Sequence, residues 1–152
     1  LVNEALLAIR LGDPQGALDK LVIAMQSRRT DSAVLAARGD ALRALGRADE
    51  AIKFYALASR RAPGAAIYPA LEGNALADLG RDDASIEAFA RALARCDDAA
   101  MRASIQFNIG NAHLRRGRRA DAARAYREAL DADPAHAGAA RWLKEVANRA
   151  SE

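Results

Sequence analysis

The 152-residue chain holds two histidines, His113 and His136, and one cysteine, Cys96, so imidazole or thiol chemistry would have to be assembled around these three. A zinc site needs four ligands at compatible spacing, and a nucleophile needs an adjacent base held in place by a third group. His136 follows Pro134 in a turn, no base stands beside a nucleophile, and neither arrangement can be built. The paired carboxylates Asp82-Asp83 and Asp97-Asp98 stand where helices begin, and capping of free backbone N–H groups accounts for them. The residues therefore predict no enzyme, no cofactor and no metal. A single cysteine also excludes an internal disulfide and leaves the compartment open.

Polar side chains of another kind recur at fixed distances. Asp40, Asn74 and Asn111 each follow a glycine, at Gly39, Gly73 and Gly110, with steps of 34 and 37 residues. An amide offers both a donor and an acceptor and suits hydrogen bonding to a peptide backbone; plain solvation is the alternative for such residues. These slots belong to a longer period. Gly12, Gly46, Gly80 and Gly117 repeat at 34, 34 and 37 residues, and a small residue, Ala5, Gly39, Gly73 or Gly110, stands seven before each. Ala17, Ala51, Ser85 and Ala122 form a further column, as do Leu21, Tyr55, Phe89 and Tyr126, and Ala24, Ala58, Ala92 and Ala129.

The elements that position these columns are helices. Leu35, Leu42 and Leu45 recur at helical intervals before Gly46, whose permissive backbone suits a helix C-terminus. Beyond it Ala51, Ile52, Tyr55, Ala58 and Ser59 repeat at three and four residues, with Pro63 past the end, so one copy is a helical hairpin. Gly39 is expected to face Ala51 and Ala58, with Tyr55 filling the gap toward the next pair. Composition agrees: aromatics are 5% of a chain that is 51% hydrophobic, and 40 alanines favour closely packed helices over sheet. Interspersed charges, 23 basic against 20 acidic, give a net charge of only +3.

On these columns the chain resembles the tetratricopeptide repeat (TPR) family, with its 34-residue step and its Leu-Gly, Ala, aromatic and Pro in fixed order. The copy running from Phe107 to Pro134 is the most faithful. The resemblance implies one all-α domain over residues 1–152, a right-handed superhelical solenoid of about four helix-turn-helix hairpins plus a C-terminal capping helix. Repeats fall at about 1–31 (truncated), 32–65, 66–99 and 103–136, with the closing helix at about 137–150. The family's tryptophan slot holds Leu1, Leu35, Pro69 and Gln106, and its proline slot holds Arg29 and Asp97 in the first and third copies. Pro69 predicts a helix starting late, near Tyr68, and three extra residues beside Asp97 and Asp98 predict one starting early, near Ala99. Ala140, Leu143 and Ala147 are expected to turn the closing helix toward the fourth repeat. Leu1, Val2 and Leu6 open the chain uncovered, so either further repeats precede them or another chain covers them.

Such repeats commonly hold an extended peptide or a partner's helix on a concave face lined by the first helix of each hairpin. Carried over residue by residue, that face comprises Leu6, Ile9, Ala36, Asp40, Arg43, Ala70, Asn74, Ala77, Phe107, Asn111, Leu114 and Arg115. Family members that clamp a C-terminal carboxylate use lysines in slots that here hold Val2, Ala36, Ala70 and Phe107, which argues against that mode. Phe107 and Leu114 suggest a partly apolar partner, or packing on the closing helix. Glu4, Arg38 and Glu72 share a slot and are expected to form an inter-repeat charge ladder, the alternative being solvation. The basic run "RRGRR" at Arg115–Arg119 spans a turn without interleaved aromatics, which argues against nucleic acid, and Arg28, Arg29, Arg60, Arg61 and Arg95 near helix C-termini answer the helix dipole.

The expected function is a noncatalytic protein–protein interaction scaffold binding a peptide or helix in its groove. The alternatives are self-assembly into a homo-oligomer through the uncapped N-terminal face, or a docking region of a larger protein. No stretch approaches roughly eighteen apolar residues, and the N-terminus lacks a signal-peptide pattern. Because it starts at Leu1 the chain reads as a fragment or trimmed region, with an upstream targeting segment left open and a cytoplasmic location favoured.

Overall fold

A computed structural model describes residues 1–25 and 31–148 of the protein. The helix-dipole reading of Arg28 and Arg29 and the last residues of the closing helix lie outside the described residues, as does the side chain of Ala24. Among the described residues there are nine α-helices and no strand: α1 (Val2–Arg10), α2 (Pro14–Met25), α3 (Ser32–Ala44), α4 (Ala48–Arg61), α5 (Ile67–Asp78), α6 (Asp82–Leu93), α7 (Ala99–Arg115), α8 (Arg119–Ala132) and α9 (Ala137–Asn148). Consecutive helices pack pairwise, α1 also touches α3 and α5 touches α7, so the hairpins follow one another in an all-α solenoid. Each hairpin turns on the glycine column, where φ is 85° at Gly12, 75° at Gly46, 69° at Gly80 and 72° at Gly117. This left-handed backbone is strained for any residue with a Cβ, which explains the glycine at every copy.

The second glycine column serves packing. A Cβ built on Gly39 would lie 2.5 Å from the Tyr55 ring, one on Gly73 2.6 Å from Phe89, and one on Gly110 would overlap Tyr126. The aromatic ring therefore lies on the glycine of its own hairpin, and Tyr55 also shares its buried cluster with Tyr68, Leu71 and Ala75 of the next pair. In the first copy Ala5 and Leu21 fill these two slots, both fully buried. Ser85, also buried, donates its hydroxyl to the Gly73 carbonyl at 2.9 Å, so a polar residue is tolerated in an alanine column because its hydrogen bond is made inside the hairpin.

Helix starts follow the local chemistry. The α5 helix begins at Ile67, leaving Pro69 in the first turn where its missing N–H costs no helical bond. An extra turn at the start of α7 is capped by Asp98, whose carboxylate accepts the Met101 N–H at 2.7 Å. The closing helix departs from expectation: Ala139 and Val146 are buried and Trp142 and Leu143 partly so, whereas Ala140 and Ala147 are exposed. Its apolar stripe is thus rotated by about one residue, because Trp142 and Val146 supply more apolar area than the alanines.

Charges also pair differently from the expected ladder. Glu72 pairs with Arg91 of its own hairpin at 3.0 Å. The Arg38 guanidinium lies 4.5 Å above the Phe54 ring and donates to Met25 Sδ, and it makes no ion pair with Glu4 or Glu72. The repeating ionic link runs instead along the turns. Arg81 reaches Asp49 of the preceding hairpin at 2.8 Å, and Arg118 reaches Asp83 in the same slots one repeat on, also at 2.8 Å. Asp82 and Asp83 are therefore not caps: Asp82 holds Arg115 and Asp83 holds both Arg116 and Arg118.

Candidate functional site

The first helices of the hairpins, α1, α3, α5 and α7, carry a connected strip of hollows. One of about 620 Å³ lies between α1, α3 and α5, walled by Leu6, Ile9, Arg10, Asp40, Arg43, Ala44 and Asp78. A second, of about 220 Å³, takes in Asn74, Ala77, Phe89, Asn108, Asn111 and Arg115 and shares Arg43 and Asp78 with the first. A third, of about 250 Å³, continues past Asn74 and Asn108 to Ala70, Met101 and Ile105. Arg43 and Asp78 form the ridge common to the first two, the guanidinium Nε donating to Oδ2 of the aspartate. That bond holds the Arg43 pKa above its already high ordinary value, against a smaller opposing effect of burial.

The slot after the packing glycine determines the polarity of the strip. Asp40 Oδ1 accepts the Tyr55 hydroxyl at 2.7 Å, and Asn111 Oδ1 accepts the Tyr126 hydroxyl at 2.9 Å. Phe89 has no hydroxyl, and Asn74 Oδ1 accepts instead from Asn108 Nδ2 of the next hairpin at 3.0 Å. Burial pushes the Asp40 carboxyl above the usual range, partly offset by the Tyr55 hydrogen bond and by Arg43. Tyr55 is raised by burial and then by the Asp40 charge, and burial pushes Tyr126 up to about 12, with Arg115 pulling the other way. Both phenols thus stay protonated as donors, and the amide N–H groups of Asn74 and Asn111 keep no partner among the described residues.

The sequence-selected residues divide. Leu6, Ile9, Asp40, Arg43, Ala70, Asn74, Ala77, Asn111 and Arg115 line the strip. Arg115 is held from behind, its Nε and terminal nitrogen donating to Asp82 at 2.8 and 2.6 Å. Ala36 is buried in the core. Phe107 packs toward the end of the stack, 5.8 Å from the Tyr126 ring and 4.9 Å from His136, whose Nδ1 accepts the Ala139 N–H at the start of α9. Leu114 faces Trp142 and Val146 across a separate hollow of about 310 Å³. Arg10, Asp78 and Asn108 line the strip without having been selected. Asn108 carried a signal, a polar residue in the slot of Ala37 and Leu71, while Asp78 shares its slot with the unlike Ala44 and Arg115 and carried none.

His113 takes the slot of buried Leu42 and Leu76 and keeps Nδ1 buried without a hydrogen-bond partner. Among the described residues no three His, Cys or carboxylate side chains converge, and no helix is long and apolar enough to cross a membrane.

No curated protein sequence matches the chain, whereas solved structures do. YrrB, a TPR protein with an unusual peptide-binding site, superposes with a TM-score of 0.79 at 19% identity, covering 92% of this chain and 71% of YrrB. MamA from Desulfovibrio magneticus RS-1 gives 0.81 at 20% identity over 98% of this chain and 82% of its own. The first TPR of Spaghetti (RPAP3), bound to the HSP90 peptide SRMEEVD, gives 0.72 at 19% identity over 80% and 94%. At such identity these likenesses establish the fold. Two family models, each described as tetratricopeptide repeat, match residues 2–66 and 69–135, nearly the whole of the stack whose turn glycines, packing glycines and aromatics recur in register. The chain belongs to the tetratricopeptide repeat family.

Proposed function

We propose that the protein is a noncatalytic interaction scaffold that holds an extended peptide or a helix of a partner protein along the strip on α1, α3, α5 and α7. The observation that carries this reading is the continuity of the hollows, which share Arg43 and Asp78 and then Asn74 and Asn108 and so form one track. Concave sites with apolar walls and a few oriented polar groups suit recognition. Free amide N–H groups on Asn74 and Asn111 can donate to the carbonyls of an extended chain. Peptide binding by YrrB and by the first TPR of Spaghetti adds support from the same fold.

The test is capture of a partner by the wild type beside Ala77→Arg, which places a long side chain in the track without entering the core, and beside Asn74→Ala/Asn111→Ala. The expected result is loss of the partner from both variants while thermal melting shows them folded. Retention by both would overturn the groove reading.

A second reading, self-assembly through the first hairpin, is favoured by one observation. Leu7 is 52% exposed although Ala41, Ala75 and Ala112, in the same slot of later copies, are all at 0%. Light scattering across a dilution series separates the two: a concentration-dependent dimer lost on Leu7→Asp supports self-assembly, and a monomer throughout removes it.

A further inference from the structure

Asp40 stands where the next two copies carry the neutral Asn74 and Asn111. The negative charge is not needed for packing, because Asn111 accepts its tyrosine hydroxyl in the same way that Asp40 does. Nor does any cation of the chain form an ion pair with it among the described residues. Arg43, one turn further along α3, directs both Nε and a terminal nitrogen to Asp78 on the next hairpin. Arg10 lines the same hollow from α1 but forms no ion pair with Asp40. A half-buried carboxylate with one hydrogen bond and no paired cation therefore borders a hollow of about 620 Å³ whose remaining wall includes the apolar Leu6, Ile9 and Ala44. A cationic head on a long aliphatic stem satisfies both surfaces at once, the stem covering apolar wall while the head meets the carboxylate.

We propose that the hollow between α1, α3 and α5 receives a lysine or arginine side chain of the bound segment, its stem on Leu6 and Ile9 and its cation at Asp40. This rests on the groove reading above and gives it a partner chemistry: a segment with one basic residue in apolar surroundings. The basic residue is read at the N-terminal end of the track, while the amides further along serve the backbone.

The test uses capped, fluorescein-labelled heptapeptides of alanine and leucine with Lys, Arg, norleucine or Glu at the centre, titrated by fluorescence polarisation. Wild type is expected to bind the Lys and Arg peptides about fivefold more tightly than the norleucine peptide, with Glu weakest. Asp40→Asn, which keeps an acceptor for Tyr55, is expected to bring Lys, Arg and norleucine within about twofold of one another. Equal binding of Lys and norleucine by wild type, or a Lys preference that survives Asp40→Asn, overturns this inference alone. Absence of binding by all four peptides overturns the groove reading and this inference together.

Discussion

The seam between the first and second hairpins differs from that between the third and fourth, although the backbone repeats. At the later seam Asp82 and Asp83 hold Arg115, Arg116 and Arg118, and Asn74 accepts from Asn108. Met101 in the extended start of α7 packs there on the cluster that holds Ala70 and Phe89. At the first seam the slot of Asp49 and Asp83 holds Gln15, and Arg47 turns back to Glu50 of its own helix at 2.6 Å. Among the described residues no ion pair crosses it, and α1 is only nine residues long. Among the described residues the first pair is stacked by shape and one hydrogen bond, Arg38 to Met25 Sδ, whereas ion pairs also join the last. A polar link between repeats needs complementary residues in two slots 32 or 35 apart, so one substitution, Gln for Asp, removes it.

The largest expected effect tests whether glycine and ring form a unit. Gly110→Ala drives a methyl into Tyr126 and should lower stability by about 1–3 kcal/mol in chemical denaturation. Combining it with Tyr126→Leu imports the Ala5 and Leu21 pairing of the first copy. The double variant should be more stable than the sum of the single losses by more than about 0.5 kcal/mol, and simple additivity would show that ring and glycine are not coupled.

Next comes the later seam. Asp82 is 7% exposed, and Asp82→Asn/Asp83→Asn should cost roughly 1–2 kcal/mol, with much of the difference from wild type erased near 1 M salt. A loss independent of salt would assign the effect to packing.

A smaller effect concerns pH. Burial raises the Asp40 pKa, so the folded protein binds that proton more tightly than the unfolded chain, and stability falls as pH rises through the interval between the two values. The charge then weighs against folding at neutral pH. Asp40→Asn should raise the melting temperature at pH 7, and the gain should shrink as pH falls through the folded-state value toward the ordinary aspartate range. A gain constant down to pH 3 would remove ionisation as its cause.

The smallest effect would make the seams alike. Gln15→Asp restores the partner slot for Arg47 and should add about 0.2–1 kcal/mol at low salt, lost on Arg47→Ala.

The glycine and alanine columns made the helices legible because a positive φ or a close ring excludes other residues wherever it recurs. Capping made the start of α7 legible for the same reason: Asp98 acts on the backbone three residues away. The track was half legible. Asn74 and Asn111 stood out as a column, but Asp78 and the turn arginines depend on side chains about one repeat apart, and nothing local marks such pairs. Phe107 took the second of its two expected places, packing beside α9, although its slot lines the track at Ala70. The stripe of α9 misled by one residue because Trp142 outweighs its neighbours.

Phenylalanine at position 89 has a lasting effect on how the track can be occupied. With no phenol beneath it, Asn74 Oδ1 accepts its hydrogen bond from Asn108 Nδ2 of the adjoining pair of helices. On the groove reading proposed above, a guest needing that same oxygen would have to evict an existing bond, so the exchange would be close to neutral there and grip would come from the N–H beside it.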